Sequence, residues 1–312
     1  MSQVPQVSEV GLATPTRKPG TYWRRDRLSG YAFVAPQFIG FLIFLGIPIA
    51  LVAWYSLFDW HILRGTSPFV GLGNYERMLE DPLVWQVLRN TFGFSLGLVP
   101  FNLTLALTLA VVVDQKLPGT ALFRTLFFAP VVVSLVAWAV VWQFLLQVDG
   151  GINASLQTVG VDGPNWLRST TWAMPSVVVV QVFKNVGLNM ILFLAALQGV
   201  PNEIKEAARV DGAGPFAVFR RITLPMISPM ILLVSIITVI GSFQVFATIV
   251  VLTGGGPGNS TNVLVYYIYQ QTFQRYEAGY ASAAAVLLFA IVMVLTVVQW
   301  QLRKRWVFHE QD

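Results

Sequence analysis

Six stretches of the chain are almost wholly apolar, with polar clusters between them. They run over residues 32–57, 91–113, 125–146, 173–197, 225–252 and 279–301. Each reaches the roughly 20 residues that a helix needs to cross the hydrocarbon core of a bilayer. The pattern predicts an all-α, polytopic membrane protein with six transmembrane helices. An even number of spans puts both ends of the chain on one side.

Composition agrees with that pattern. Of the 312 residues 55% are hydrophobic and 11% charged, and mean hydropathy is +0.64. A soluble domain is nearer a quarter charged. There is no cysteine, which excludes disulfides, thiol catalysis and cysteine-based metal sites.

The basic residues orient the spans. Arg17, Lys18, Arg24, Arg25, Arg27, Lys116, Arg124, Lys205, Arg209, Arg220, Arg221, Arg303, Lys304 and Arg305 fall on one set of sides. Arg64, Arg77, Arg89, Arg168 and Arg275 fall on the other, and Lys184 lies within a span. Cytoplasmic loops carry the excess of lysine and arginine, so both termini and the 198–224 loop are expected in the cytoplasm. The same bias explains a pI near 9.6 without a nucleic-acid partner. Residues 1–30 read as a flexible cytoplasmic tail, 31–305 as one membrane domain and 306–312 as a second short tail. The basic run before the first span resembles a signal peptide. That span is too long for a signal core and shows no small-residue cleavage site, so it reads as uncleaved.

Several kinds of chemistry are missing. The spans hold no Asp, Glu or His, the groups that take protons inside membranes. His61 and His309 lie outside them, and no clustered ligands suggest a metal. "TGGGPGNST" (253–261) lacks the lysine of a phosphate loop and reads as a tight turn leaving the membrane. Catalysis by the chain itself, ATP hydrolysis included, is not expected. Asn102, Asn153 and Asn259 begin tripeptides of glycosylation type, a pattern common by chance.

One loop stands out, "NEIKEAARVDGAGPFAVFRRITLP" (202–225). Asn202 can cap a helix whose first turn carries Glu203 and Glu206, where the helix dipole favours acids. Gly212 supplies a residue that tolerates a left-handed backbone. Gly214-Pro215 starts a second short helix, and Leu224-Pro225 ends it. This helix–turn–helix either docks a partner or simply connects two spans at the membrane surface.

Two polar patches lie within the spans. Lys184 sits beside Asn185 with Asn189 beyond; an intramembrane ion marks a functional site or bonds to carbonyls of a neighbouring helix. Thr238, Gly241, Ser242 and Val245 share a face of the fifth span by their spacing, as a wet cavity or as close helix packing. At 1.5 Å per residue both patches lie about 20 Å from the cytoplasmic ends of their spans.

Glu206-Ala207-Ala208, Asp211-Gly212-Ala213-Gly214 and Ile222-Thr223-Leu224-Pro225 together resemble the EAA loop of ABC importer permeases. "FVGLGNYERMLEDPLVW" (69–85), "FRTLFFAPVVVS" (123–134) and "LTGGGPGNSTNVLVYYIYQQTF" (252–273) are similar to carbohydrate permeases of the maltose and glycerol-3-phosphate type. The resemblance spans about residues 25–305 and is nearer the "F-like" or "A-like" subunit of such heterodimers. It implies a type I permease fold with a cytoplasmic coupling helix. Glu206, Ala207, Ala208, Asp211, Gly212 and Gly214 would then contact a cytoplasmic ATPase. It also implies that Lys184, Asn185, Leu188, Thr238, Gly241, Ser242 and Val245 fall where a maltose permease contacts sugar. The tyrosine and asparagines of that pattern are absent, which implies a different solute or more contacts from the partner chain. The implied partners are a second permease, two ATP-binding cassette subunits that hold the ATP and magnesium, an extracytoplasmic solute-binding protein, the sugar and membrane lipid. The implied location is the plasma membrane of a bacterium or archaeon. Permeases for sugar phosphates or amino acids, a stand-alone secondary transporter and a membrane-embedded enzyme are the competing readings.

Overall fold

The computed structural model describes the backbone of residues 22–115 and 119–306 and the side chains of 30–115 and 119–302. Residues 1–21 and 307–312, with Arg17, Lys18, Lys116 and His309, and the side chains of Arg24, Arg25, Arg27, Arg303, Lys304 and Arg305, lie outside that description, whereas residues 22–30, read from sequence as part of a flexible tail, are helical. The chain divides into two compact units, one ending at Leu51 and one beginning at Val52. That boundary falls inside the region read from sequence as a single membrane domain.

The first unit is helical. α1 (Tyr22–Phe41) passes through a π-helical turn at Leu42–Gly46 into α2 (Ile47–Tyr55). The Ile47 amide reaches back five residues to the Leu42 carbonyl. Pro48 follows at once. A proline lacks an amide and crowds the preceding turn, and one extra residue per turn accommodates it without ending the helix.

The second unit begins with the last turn of α2, followed by a short irregular segment in which Phe58 and Phe69 form an isolated antiparallel bridge. α3 (Gly73–Glu80) follows, anchored where Asn74 Nδ2 donates to the Ser56 and Phe58 carbonyls at 2.8 and 2.9 Å. Asp81 then caps α4 (Pro82–Asp114), its Oδ1 accepting from the Leu83 amide at 2.8 Å. Proline at the first helical position costs nothing there, because that amide has no intrahelical partner. At 33 residues α4 extends about 50 Å. The predicted 91–113 stretch is thus the C-terminal part of a longer helix that starts at Pro82.

α5 (Thr120–Val132) and α6 (Leu135–Leu145) meet at 105°, so the predicted continuous span 125–146 is broken. Pro130 removes an amide from the last turn of α5, and Val133 and Ser134 are extended. Ser134 restarts the helix by accepting from the Ala137 amide at 3.2 Å. α7 (Gly151–Gln157) leads by a loop to α8 (Ala173–Gln198), which matches the predicted 173–197. α9 (Asn202–Val210) and α10 (Pro215–Val218) precede a second π turn, Phe219–Thr223, and the single turn α11 (Leu224–Met226). Again a proline, Pro225, follows the π turn by one residue. The helix therefore continues past the predicted stop at Leu224-Pro225 and bends by 66° at Ile227 into α12 (Ser228–Phe243). Residues 244–246 interrupt it before α13 (Ala247–Leu252), so the predicted span 225–252 is also discontinuous. α14 (Leu264–Tyr269) and α15 (Ala278–Trp306) complete the chain.

Among the described residues four helices are long and apolar enough to cross a membrane, Gly30–Tyr55, Pro82–Asp114, Ala173–Gln198 and Ala278–Leu302. The count reaches six when each bent pair is one span. No strand occurs among the described residues. The core lies where α8 packs against α4. Ala106, Ala110 and Val113 of α4 meet Val186, Met190, Phe193 and Leu197 of α8, with Val234 of α12 beside them. α5 crosses α8 so closely at Gly187 that a Cβ there would lie 1.9 Å from the Phe127 carbonyl oxygen.

Candidate functional site

The 202–226 segment is built by local backbone chemistry. Pro201, not Asn202, holds the N-cap position of α9 and makes no side-chain cap. Asn202 is the first helical residue, because proline's fixed φ already sets the approach. At the other end Gly212 has φ +85°. Its amide bonds to the Arg209 carbonyl at 3.0 Å, and the Ala213 amide to the Ala208 carbonyl at 2.9 Å. This pair of bonds is the Schellman closure of a helix end, which needs a left-handed residue at that position. Glu206, Ala207, Asp211, Gly212 and Gly214 are exposed and Ala208 is half-buried. Val210 and Phe216, 87% and 73% exposed, flank the turn. The corner is thus short and polar, with two exposed apolar side chains beside its turn.

Lys184 lies on α8 opposite the α5–α6 break. Its ammonium donates to the carbonyls of Pro130 and Val133. Those oxygens end α5, where carbonyls have no intrahelical partner and the dipole is negative. Lys184 therefore caps a broken helix. The Trp138 indole fastens α6 to the same stretch of α8, donating to the Val180 carbonyl at 3.1 Å.

The other sequence candidates separate into two sets. Thr238 and Ser242 are buried and engaged within the chain. Asn189 Nδ2 donates to Asn102 Oδ1 and, at 3.2 Å, to Thr238 Oγ1. Asn102 Nδ2 in turn donates to the Val182 carbonyl at 3.2 Å. Ser242 Oγ lies 2.7 Å from both Ser95 Oγ and the Val239 carbonyl. Val245 is buried too, and it lies beyond the end of α12 rather than on one face with the other three. Leu188 and Gly241 are exposed, and Asn185 is half-buried.

The relative depths also change. α8 and α12–α13 run antiparallel, with Asn189 bonded to Thr238 and Thr248 Oγ1 donating to Gln181 Oε1 at 2.7 Å. Thr238 is level with Asn189, five residues beyond Lys184, an offset of about 7 Å. The level of Lys184 is instead that of residues 244–246, the second break. Two interrupted helices therefore break at one depth, beside Lys184. Irregular backbone inside a membrane is tolerated only where protein buries it or water lines it. Gln244, exposed at that break, was missed by sequence reasoning, although a lone glutamine in a 28-residue apolar run is a visible signal. Asn102 and Ser95 were missed as well, since they act only through partners on other helices.

At the far end of the unit Arg77 and Glu277 pair at 2.8 Å, and the Arg77 guanidinium lies 4.4 Å from the Tyr280 ring centre. Tyr267 donates to Asp81 Oδ2 at 3.2 Å, and burial pushes its hydroxyl far above the ordinary range. This cluster ties α3, α14 and α15 together. Among the described residues, no cluster of three or more His, Cys, Asp or Glu could hold a metal ion.

Residues 102–307 match the family described as binding-protein-dependent transport system inner membrane component, and the chain belongs to that family. It is 36% identical to the lactose transport system permease protein LacF of Rhizobium radiobacter, across 88% of this chain and 93% of that one. The sn-glycerol-3-phosphate transport system permease protein UgpA of Pectobacterium atrosepticum is 32% identical, across 90% and 95%. A chain of a bacterial alginate ABC transporter, solved with an alginate pentasaccharide-bound periplasmic protein, superposes with a TM-score of 0.77. It is 25% identical over 90% of this chain and 96% of that one.

Proposed function

We propose that the chain is one permease subunit of an ATP-driven, binding-protein-dependent sugar importer that works by alternating access. The observation that carries this reading is the exposed 202–226 corner, closed rigidly at Gly212, in a chain of this family. The segment is the docking helix for a cytoplasmic ATPase, with Glu206, Ala207, Ala208, Asp211, Gly212 and Gly214 at the contact. Closure of two such ATPases, which hold the ATP and magnesium, drives the corner and tilts the spans. A second permease completes the pore, and an extracytoplasmic binding protein delivers the sugar. Both termini and the corner face the cytoplasm by the distribution of basic residues.

The solute passes at the level of the two helix breaks. Asn185, Leu188, Gly241 and Gln244 face it there. Thr238, Ser242 and Val245 hold the helices that carry those residues. A neutral sugar is favoured over a sugar phosphate, because the ammonium of Lys184 is already spent on two carbonyls. Relatives named for lactose and for trehalose/maltose transport support a sugar.

The test is to tag the chain, isolate it in mild detergent from its native membrane and identify what accompanies it. The reading expects a second permease and an ATPase whose hydrolysis rises with loaded binding protein, and a sugar panel then names the solute. A chain that purifies alone, and alone moves solute in vesicles, overturns it.

A further inference from the structure

The end of α8 remote from the 202–226 corner carries a cavity that none of this uses. It has a volume of about 630 Å³ and lies between the turn after α6, the loop before α8 and the end of α13. Gln143, Gln147, Asp149, Asn165, Arg168 and Thr253 line it. Among the described residues, no hydrogen bond or ion pair engages the side chains of Gln143, Gln147, Asp149 or Arg168. Four uncommitted polar groups thus converge on one space of the size that takes a small molecule.

The walls are fixed from behind. Asn153, 2% exposed, donates through Nδ2 to the Val148 carbonyl at 3.0 Å and the Pro164 carbonyl at 3.3 Å. Its Oδ1 accepts from the Trp166 indole at 2.7 Å. Ser176 then ties the Trp166 carbonyl to the first turn of α8 at 3.2 Å. A single buried amide therefore joins the turn bearing Gln147 and Asp149 to the loop bearing Asn165 and Arg168. A site held by such supporting bonds keeps its geometry without a ligand.

The four uncommitted side chains are two amides that both donate and accept, a carboxylate that only accepts and a guanidinium that only donates, and Asn165 and Thr253 add a third amide and a hydroxyl to the lining. Adjacent hydroxyls on a ring present donors and acceptors side by side and satisfy such a set. A bare anion would meet Asp149, and a bare cation would meet Arg168. We propose that this cavity is an outer subsite for a neutral polyhydroxylated solute, occupied between release from the binding protein and passage to the helix breaks. The proposal rests on the sugar-import reading.

The test uses the assembled importer in lipid nanodiscs, with Gln147→Cys introduced into this otherwise cysteine-free chain. Reaction with a membrane-impermeant maleimide is timed with unloaded binding protein and with binding protein carrying whichever of lactose, trehalose and maltose the wild type imports. The subsite predicts that loaded protein slows labelling about fivefold more than unloaded protein, the effect of about 1 kcal/mol of occupancy. A control cysteine at Val159, 72% exposed and outside the cavity, is slowed equally by both. Asn165→Cys repeats the measurement should Gln147→Cys not assemble. Equal protection at Gln147 by loaded and unloaded protein overturns the subsite and makes the cavity a docking surface. No protection by either places it off the route and overturns the subsite as well. A wild-type importer that moves none of these three is assayed instead with the solute that the sugar panel names, and one that moves no sugar at all removes the sugar-import reading itself, before any variant is compared.

Discussion

Replacing Lys184 by methionine removes the cap of a broken helix, and its cost can be worked from the geometry. Methionine keeps most of the side-chain volume but donates nothing, so the carbonyls of Pro130 and Val133 lose their partner. A buried acceptor left unpaired costs about 1–3 kcal/mol. Lys184 is half-buried, so water recovers part of that, and hydrogen bonds inside membranes measure nearer 1 kcal/mol each. Two bonds then give a loss of about 2 kcal/mol, which for a chain of this size is a fall of about 3 °C in Tm. Lys184→Arg restores donors at the same place and recovers most of the loss. The assay is a thermal melt of the assembled transporter in detergent, followed by size exclusion, alongside uptake of a neutral and an anionic sugar. The cap predicts lower Tm for Lys184→Met, partial rescue by Lys184→Arg and equal loss of uptake for both solutes. An unchanged Tm with loss confined to the anionic solute refutes the cap and makes Lys184 a ligand.

Gly212→Asp should abolish uptake while the subunits still assemble, because φ +85° costs an L-residue about 1 kcal/mol and the new charge sits at the docking corner. Gly212→Asn, which tolerates that backbone better, should keep more uptake, measured as sugar accumulation against co-purified ATPase. Asn189→Leu strips Asn102 and Thr238 of their shared partner. It should cost about 1–2 kcal/mol, read as a fall in Tm with the ATPase still bound. Asn153→Ala releases two carbonyls and the Trp166 indole and should cost about 2–4 kcal/mol by the same reasoning. Trp166 fluorescence should report that loosening. Asn153 should also carry no glycan in a glycosylating host, since its amide is buried.

The features legible from sequence were those fixed by neighbours along the chain. Gly212 could be placed because a helix end needs a left-handed residue and glycine supplies it, whatever surrounds the loop. The apolar stretches 32–57 and 173–197 matched single elements or joined ones, because length and hydropathy decide membrane crossing before packing does. The two breaks were not legible in that way. Hydropathy scores side chains, and residues 130–134 and 244–246 remain apolar enough while their backbones turn. A local sign existed at the first, where Pro130 and Ser134, four residues apart, are a weakened last turn followed by a helix cap. What stabilises that turn is a lysine 51 to 54 residues later, and no local pattern connects them. The depth estimate failed for the same reason. It counted residues from span ends treated as level, whereas the helices set their own register through Asn189–Thr238 and Gln181–Thr248. Side-chain bonds between helices thus fix the register, and the register brings two interruptions and one ammonium to a common depth. The lysine that sequence placed on the solute path bonds in the structure to the two carbonyls at which an apolar helix stops. Beside Lys184 at that depth lie the half-buried Asn185 and the exposed Gln244, with the exposed Gly241 about one turn away, and those are the positions at which solute selectivity should change on substitution.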